Sequence, residues 1–184
     1  MTAHADIPPP GTLIRTAAAR IGITAAPGRL SLRARDGLGA LGTALGIDLP
    51  GRIGGRAGRD AIEAMCLGPD EWVLLSPPEE VAALLAAGAA VYAAHPHSLV
   101  DISGRETTIA IDGPRAAELL TLGLARDPAG IAPGDGRRTY FDGQTVILWR
   151  DGETRFRMDV WHSFAPHLLG LLDTGCRELA AEAP

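Results

Sequence analysis

The strongest constraint on the fold is a run of strand-like segments separated by Asp-Gly pairs. The segments are residues 138–141, 144–150 and 154–161. The pairs are Asp142-Gly143 and Asp151-Gly152, and Asp-Gly is a preferred sequence for the two-residue type I′ turn of a β-hairpin. The run therefore predicts a three-stranded antiparallel meander.

Strand and helix patterns alternate before the meander, and a helix follows it. Strands are predicted at residues 29–35, 63–67, 72–76, 99–102 and 107–111, and helices at residues 77–94, 113–122 and from residue 163 onward. Pro69 and Asp70 favour a tight turn between two of these strands, and Ser76 and Glu79 fit a capping box before the first helix. Helices packed on mainly antiparallel strands define an α+β fold, and the order hairpin, helix, hairpin, helix suggests split β-α-β units. The apolar stripe of the last helix consists of Phe164, Leu168, Leu172, Cys176 and Leu179.

The N-terminal part of the chain has weaker signals. Residues 1–11 are proline-rich and predict a flexible arm, and residues 13–21 favour a short helix. The glycine-rich residues 36–60 predict a short helix followed by a loop. The sequence thus predicts an arm with a short helix over residues 1–28 and a single α+β domain over residues 29–184.

Composition excludes several classes of chemistry. All 17 basic residues are Arg, so no Lys can form a Schiff base, act as a nucleophile or bind phosphate in a P-loop. The net charge of −5 argues against non-specific binding to nucleic acid or to an anionic membrane. Cys66 and Cys176 lie in apolar surroundings and are predicted to be buried core residues. The first residues lack a signal-peptide pattern and residues 81–94 are too few to span a bilayer, so a cytoplasmic protein is expected.

A glycine motif is the sharpest functional candidate. Residues 37–42 match the G-x-G-x-x-G pattern of dinucleotide-binding loops and follow a predicted strand. That strand carries Arg33 and Arg35, whereas the central strand of a parallel sheet is continuously apolar. No second buried strand with a terminal acidic residue follows at the required distance. The motif is therefore interpreted as a turn, and a small enzyme using this loop is a disfavoured alternative.

Other candidate catalytic or metal-binding residues are isolated from one another in sequence. The histidines are His4, His95, His97, His162 and His167. They form no complete set of metal ligands, so exposed or capping roles are predicted, and Ser103 and Ser163 are assigned to a turn and an N-cap. Asp101 is a carboxylate among apolar neighbours, which would need a partner such as Arg105 if it is buried. A catalytic role for Asp101 is the alternative, but the residues themselves predict no catalytic, cofactor-binding or metal-binding site.

The last strand of the meander has two different faces. Phe156, Met158 and Val160 share an apolar face that is predicted to lie in the core. The opposite face carries the candidate interface residues Arg155, Arg157, Asp159 and Trp161. Trp and Arg are enriched at interface hot spots, so this face is a candidate docking surface. A solvated strand face, with Trp161 partly covered by the last helix, is the alternative.

Several motifs together resemble the gamma subunit family of bacterial heterotetrameric sarcosine oxidase. The most specific of them is Leu-Gly-Pro-Asp-Glu-Trp at residues 67–72. Supporting motifs lie at residues 100–103, 113–114 and 157–165, and the similarity extends over residues 29–175. This family in turn resembles one part of the folate-binding aminomethyltransferases of the glycine cleavage system.

The resemblance implies a subunit of an oxidase that demethylates sarcosine to glycine, passes the carbon to tetrahydrofolate and releases hydrogen peroxide. The expected partners are alpha, beta and delta subunits. The assembled enzyme is expected to use FAD, FMN, NAD and tetrahydrofolate, with the flavins on or between the two large subunits and the other two sites on the largest. The family assigns no catalytic residue to the gamma chain, so this chain is expected to bind no cofactor alone.

A free-standing folate-binding protein related to the aminomethyltransferases is the alternative function. The folate-dependent iron–sulfur maturation factors of that group resemble one another in a Lys-Gly-Cys motif, which this Lys-free chain lacks. The chain is also far shorter than a full aminomethyltransferase, which argues against a complete folate pocket.

Overall fold

The computed structural model describes residues 7–182, which divide into two compact units. The first unit runs up to Ala25 and resumes at Arg105, and the second is Ala26–Gly104. The strands are β1 (Gly11–Arg15), β2 (Arg20–Ile23), β3 (Gly28–Arg33), β4 (Arg56–Arg59), β5 (Ile62–Gly68), β6 (Glu71–Ser76), β7 (Ser98–Asp101), β8 (Glu106–Asp112), β9 (Gly136–Phe141), β10 (Gln144–Arg150) and β11 (Arg155–Trp161). The helices of more than one turn are α1 (Leu38–Leu45), α2 (Val81–Val91), α3 (Ala116–Leu120) and α4 (Ala165–Ala181).

The first unit contains a six-stranded sheet in the order β1-β2-β8-β11-β10-β9, and its strand pairs are antiparallel. The predicted meander β9-β10-β11 is confirmed. Asp142 and Gly143 both have positive φ, as a type I′ turn requires, and they join a Phe141–Gln144 pair. The second Asp-Gly pair does not form such a turn, because Arg150 pairs with Phe156 and five residues, 151–155, lie between them.

The core of the first unit lies between one face of this sheet and the helices α3 and α4. Its buried members include Phe156, Met158, Val160, Leu119, Leu168, Leu172 and Cys176. The predicted core face of β11 and most of the predicted stripe of α4 are therefore confirmed. Phe164 is the exception, since it is 39% exposed and lies in a short 3-10 turn, His162–Phe164, before α4.

The second unit contains a five-stranded antiparallel sheet in the order β4-β5-β6-β3-β7. Both β6 and β7 are antiparallel to β3, which lies between them, and α2 connects β6 to β7. This arrangement is a split β-α-β unit, so the predicted α+β class and its characteristic motif are confirmed. Trp72 anchors the preceding loop to this core, because its buried indole Nε1 donates to the carbonyl of Pro50 at 2.8 Å.

The glycine motif of residues 37–42 belongs to α1 and not to a free turn, so the turn interpretation is wrong. Gly37 is the N-cap residue of α1, and Leu41 and Leu45 bury one side of the helix. The helix ends at Gly46, whose φ of 69° allows the Ile47 N–H to donate back to the Gly42 carbonyl at 3.0 Å. This is the left-handed C-terminal motif that Gly favours.

The structure corrects the short helix predicted over residues 13–21, whereas residues 1–6 of the predicted arm lie outside the described residues. Residues 13–21 contribute to the strands β1 and β2, and β2 pairs with β8 of the same sheet. Ile21 and Ile23 are buried in the first core. Pairing with a distant strand thus overrides the local helix preference of Ala and Arg. The single α+β domain over residues 29–184 stays a prediction, and its residues are distributed over the two compact units.

Two further local predictions differ from the structure. The strands predicted at residues 99–102 and 107–111 do not pair with each other, because β7 pairs with β3 while β8 pairs with β2 and β11. The predicted capping box is absent as well. Ser76 Oγ donates to the Pro77 carbonyl, and a 3-10 turn, Pro78–Glu80, precedes α2.

Candidate functional site

A buried polar network lies on the face of the first sheet opposite to α3 and α4. Asp159 of β11 is 1% exposed. Its Oδ2 accepts a 2.7 Å hydrogen bond from Nε1 of Trp149 on β10, and its Oδ1 accepts a hydrogen bond from Oγ1 of Thr108 on β8. A buried carboxylate is tolerated when its oxygens accept such bonds. Asp159 therefore links three neighbouring strands.

Arg157 extends this network along the same face of β11. Its Nε and Nη2 lie 2.6 and 3.0 Å from the two carboxylate oxygens of Asp151. Its guanidinium carbon is 5.0 Å from the ring centroid of Trp149, which is cation–π geometry. The forked ion pair and the stacking hold Arg157 within its own chain.

The four candidate interface residues therefore do not form one exposed face. Arg155 and Trp161 are exposed, and Trp161 retains 51% of its accessible surface. Asp159 lies on the predicted outer face but is buried, and Arg157 is bound to Asp151, so the role of these two residues in an interface stays a prediction. The alternation of residues along β11 correctly assigns each side chain to the core face or to the outer face. It does not show which side chains of the outer face are buried.

At one end of this outer face an exposed row of side chains crosses three strands. Tyr140 of β9 pairs with Thr145 of β10. Val146 pairs with Val160, which places Thr145 beside Trp161 of β11. Tyr140 is 57% exposed and Thr145 is exposed as well. We call Tyr140, Thr145 and Trp161 the exposed row. The sequence analysis missed Tyr140, although the register set by the turn at residues 142–143 would have identified it.

The glycine motif does not fit a dinucleotide. Such a site requires a parallel strand leading into the helix that faces the pyrophosphate. The strand before α1 is β3, which is antiparallel to both of its neighbours, β6 and β7. The segment around α1 therefore lacks the architecture that positions a nicotinamide or flavin nucleotide.

Two of the histidines lie in the second unit. His95 and His97 line a cleft of about 410 Å³ together with Arg33, which is paired with Asp70 and Glu71. His97 Nδ1 is 2.7 Å from the His95 carbonyl oxygen, so one ring nitrogen is engaged locally. Within residues 7–182 no group of three His, Cys, Asp or Glu side chains is placed to hold a metal ion.

Two further histidines, His162 and His167, lie in the first unit. In the first unit His167 Nε2 is 2.6 Å from Asp142 Oδ2, which ties α4 to the β9–β10 turn. His162 is exposed at the start of the 3-10 turn that precedes α4. His4 lies outside the described residues.

Asp101 is exposed at the end of β7, so the buried carboxylate paired with Arg105, which the sequence analysis considered, does not form. It ends β7, an edge strand, and its Oδ1 accepts from the Ser103 N–H at 2.8 Å. Hydrogen bonds from the Ser103 side chain and backbone lower the pKa of Asp101. Arg105 pairs instead with Glu106 at 2.8 Å. Ser103 has the predicted turn role, and its Oγ accepts from the Arg29 N–H at 2.9 Å.

Both cysteines are free and buried, as predicted. Cys66 Sγ donates to the Gly68 carbonyl, and burial raises the pKa of the Cys66 thiol. A raised thiol pKa lowers the fraction of nucleophilic thiolate at neutral pH. Among the helices of the described residues, none has the length and apolar character needed to cross a bilayer.

The fold resembles that of one part of an aminomethyltransferase. The crystal structure of glycine cleavage system aminomethyltransferase T from Bartonella henselae superposes with a TM-score of 0.63 at 15% sequence identity. The match covers 85% of this chain and 46% of that chain. At this identity the likeness is one of fold alone.

The chain belongs to the sarcosine oxidase gamma subunit family, whose model matches residues 35–178. A sarcosine oxidase subunit gamma from Corynebacterium sp. strain U-96 is 30% identical over 165 residues, which cover 88% of this chain and 77% of that protein. The same subunit from Corynebacterium sp. strain P-1 is 29% identical over 168 residues, with coverage of 90% and 79%.

A solved structure of this family matches nearly the whole chain. A chain of the heterotetrameric sarcosine oxidase from Corynebacterium sp. U-96, solved with pyrrole 2-carboxylate, superposes with a TM-score of 0.83 at 27% identity. The match covers 94% of this chain and 91% of that chain. The resemblance identified from residues 67–72 and the supporting motifs is thereby confirmed.

Proposed function

We propose that this chain is the gamma subunit of a heterotetrameric sarcosine oxidase, in which it joins alpha, beta and delta subunits. The observation that carries the proposal is the match in fold over 94% of this chain to a chain of such an oxidase, together with the family match over residues 35–178. The assembled enzyme oxidises sarcosine, reduces oxygen to hydrogen peroxide, releases glycine and passes the one-carbon unit to tetrahydrofolate.

In this proposal the gamma chain supports the assembly of the enzyme and supplies no catalytic or cofactor-binding group. Its most buried carboxylate, Asp159, is engaged by Trp149 and Thr108, and Arg157 is engaged by Asp151. These hydrogen bonds and this ion pair tie neighbouring segments of the first sheet to one another. FAD, FMN, NAD and tetrahydrofolate then belong to the other subunits, and the misfit of α1 to a dinucleotide supports that division.

A free-standing folate-binding protein has less support. The chain corresponds to 46% of the aminomethyltransferase T chain, so more than half of that protein has no counterpart here. The match to the chain of the heterotetrameric sarcosine oxidase, in contrast, covers 94% of this chain and 91% of that chain. Calorimetric titration of the purified chain with tetrahydrofolate separates the two functions, because only the free-standing protein binds folate by itself.

The proposal is tested by producing the four subunits together and by omitting this chain in a parallel preparation. We expect the purified chain to be colourless and inactive on sarcosine. We expect the preparation without it to give less assembled enzyme, with a lower thermal midpoint. A flavin band that stays with the isolated, denatured chain would overturn the proposal, as would full assembly and thermal stability of the enzyme without this chain.

A further inference from the structure

We propose that Asp36-Gly37 is a site at which this chain modifies itself by isoaspartate formation, and that the modification loosens the start of α1. The two residues lie between β3 and α1 in the second unit. The inference goes beyond the proposed function and does not rest on it, because it concerns only the chemistry of this chain and water.

Isoaspartate forms from an Asp-Gly pair in two steps that first release and then consume one water molecule. The glycine amide nitrogen attacks the side-chain carboxyl carbon, Cγ, of an Asp in its acid form. An N–Cγ bond closes a five-membered succinimide ring, and the Cγ hydroxyl leaves as water together with the amide proton. Water then opens the ring. Cleavage of the N–Cγ bond restores Asp, whereas cleavage at the main-chain carbonyl leaves the chain running through the side chain. Glycine favours the first step because no Cβ hinders the approach of its nitrogen.

The chain contains five Asp-Gly pairs, and the structure distinguishes one of them from the rest. The pairs begin at Asp36, Asp112, Asp135, Asp142 and Asp151. The reaction requires a disengaged carboxyl group, a disengaged glycine N–H and a main chain that can rotate until the two groups meet. Folded structure that holds any of these three elements slows the reaction, because the segment must first open locally.

Two of the pairs are held by ion pairs and by main-chain hydrogen bonds. Asp112 Oδ2 is 2.9 Å from Nη2 of Arg20, and the N–H of the following glycine donates to a main-chain carbonyl at 3.1 Å. Asp151 is bound by the guanidinium of Arg157, and the N–H of its glycine likewise donates to a main-chain carbonyl at 3.2 Å. In both pairs the carboxyl group and the attacking amide are therefore engaged elsewhere.

Two more pairs are held by the first sheet. Asp142 lies in the two-residue turn between β9 and β10, and its Oδ2 is 2.6 Å from Nε2 of His167. Asp135 directly precedes β9, where the buried Gly136 lies opposite Trp149 of β10. Rotation of either pair toward the ring geometry would disturb the pairing of the two strands. Both are therefore protected by their place in the sheet.

Asp36-Gly37 has none of these restraints. Asp36 is exposed in a bend between β3 and α1. Within residues 7–182 its carboxylate takes part in no ion pair or hydrogen bond, and the Gly37 N–H has no acceptor. Asp36 also lines the cleft of about 410 Å³ that contains His95, so water has access to the carboxyl group. Both reacting groups are thus available in the folded chain.

The product alters a short segment that is fixed at both ends. An isoaspartyl link adds one carbon atom to the main chain directly before Gly37. On one side, the Ala34 N–H donates to the Asp70 carbonyl at 3.1 Å. On the other, the Gly37 carbonyl accepts from the Leu41 N–H at 2.9 Å, and His95 stands against Gly37. The added carbon therefore displaces the start of α1, and its buried contacts are weakened.

The test follows isoaspartate in the purified full chain during incubation at physiological pH and temperature. Trypsin releases the proposed site in residues 36–52 and the Asp142 pair in residues 139–150 of the same digest. Mass spectrometry, with enzymatic methylation of isoaspartyl carboxylates, quantifies both peptides. In the folded chain isoaspartate should accumulate about tenfold faster at Asp36 than at Asp142. In urea the two rates should converge, because the structure that protects Asp142 is lost.

Asp36→Glu is the diagnostic variant. It keeps the charge, but ring closure would require a six-membered ring that forms much more slowly, so isoaspartate should no longer accumulate in residues 36–52. Asp48→Glu is the matched control, since Asp48 is an exposed acid in the same peptide that is not followed by Gly, and this variant should behave like the wild type. Gly37 is left unchanged, because its φ of 70° and the nearby His95 would make its replacement a test of folding.

The thermal midpoint tests the effect on α1. The midpoint of the wild type should fall as isoaspartate accumulates, whereas incubated Asp36→Glu should keep its starting value. A folded chain in which Asp36 forms isoaspartate no faster than Asp142 overturns the proposed site. A wild-type midpoint that stays constant while isoaspartate accumulates at Asp36 overturns the proposed loosening of α1.

Discussion

The indole nitrogen of Trp149 donates a 2.7 Å hydrogen bond to Oδ2 of Asp159, and both side chains are buried in the first sheet. Because Thr108 donates to the other carboxylate oxygen, removal of the Asp159 side chain takes an acceptor away from two buried donors at once. Loss of the Asp159 carboxylate is therefore expected to destabilise the protein by more than the net worth of two hydrogen bonds.

Asp159→Ala is expected to lower the free energy of unfolding by about 3 kcal/mol, because it removes an acceptor from the buried donors of Trp149 and Thr108 and leaves a cavity. Asp159→Asn retains one acceptor oxygen and should cost about 1–2 kcal/mol. Urea unfolding followed by tryptophan fluorescence measures both. The control is Asp173→Ala, which removes an exposed helix pair with Arg177 and should stay within about 0.5 kcal/mol of the wild type. Equal stability of the Asp159→Ala and Asp173→Ala variants would refute the structural role of Asp159.

Gly113→Ala is expected to destabilise the first unit by about 2–4 kcal/mol. Gly113 has a φ of 154°, and an added Cβ would lie 2.6 Å from the Ala19 Cα and 2.7 Å from the Ala18 carbonyl oxygen. These neighbours are backbone atoms, which cannot move aside as a side-chain end can. The thermal midpoint of the purified variant measures the effect, and an unchanged midpoint would show that the close approach is relieved elsewhere.

Gly39→Ala is expected to stabilise the protein by about 0.5–1 kcal/mol, because Gly39 lies within α1 and nothing stands within 4 Å of an added Cβ. The same substitution should leave the NAD affinity of the assembled enzyme unchanged. Urea unfolding and calorimetric NAD titration measure the two quantities. A tenfold loss of NAD affinity in a folded variant would restore the dinucleotide interpretation of residues 37–42.

The ion pair between Arg115 and Glu118 should make stability depend on pH in the acidic range. Arg115 links the start of α3 to the end of α4, because it donates to Glu118 at 2.6 Å, to Glu182 at 2.8 Å and to the Leu179 carbonyl at 2.6 Å. Its hydrogen bonds lower the pKa of Glu118 below the usual value of 4.5. A carboxyl whose pKa is lower in the folded than in the unfolded protein adds to the free energy of unfolding at any pH above its unfolded-state pKa. This added stability is lost as the pH falls through the folded-state pKa.

Glu118→Gln should therefore be less stable than the wild type at about pH 7, and the difference should shrink toward zero at about pH 3. Urea unfolding over this range gives the difference directly. The matched control is Glu80→Gln, since Glu80 is exposed and stands outside the ion pairs of residues 7–182. A stability difference for Glu118→Gln that stays constant with pH would contradict the assigned cause.

Local chemistry was sufficient to predict a large part of each unit. Alternation and the Asp142-Gly143 turn predicted β9, β10 and β11, and Pro69 with Asp70 predicted the hairpin of β5 and β6. Helical spacing predicted the buried stripe of α4. Each of these signals arises among residues a few positions apart, so no distant strand is needed to interpret it.

Long-range pairing decided what these local signals could not. Residues 13–21 have a helical preference, yet they become strands because Ile21 and Ile23 gain burial by pairing with β8, almost ninety residues away. Asp159 and Trp161 occupy equivalent positions in the alternation of β11, yet one is buried and the other is half exposed. Periodicity assigns a side chain to a face of the sheet, but burial depends on which distant groups cover that face. Which side chains of β11 remain exposed is thus decided by the distant parts of the chain that pack over this face, and the local sequence pattern does not contain that information.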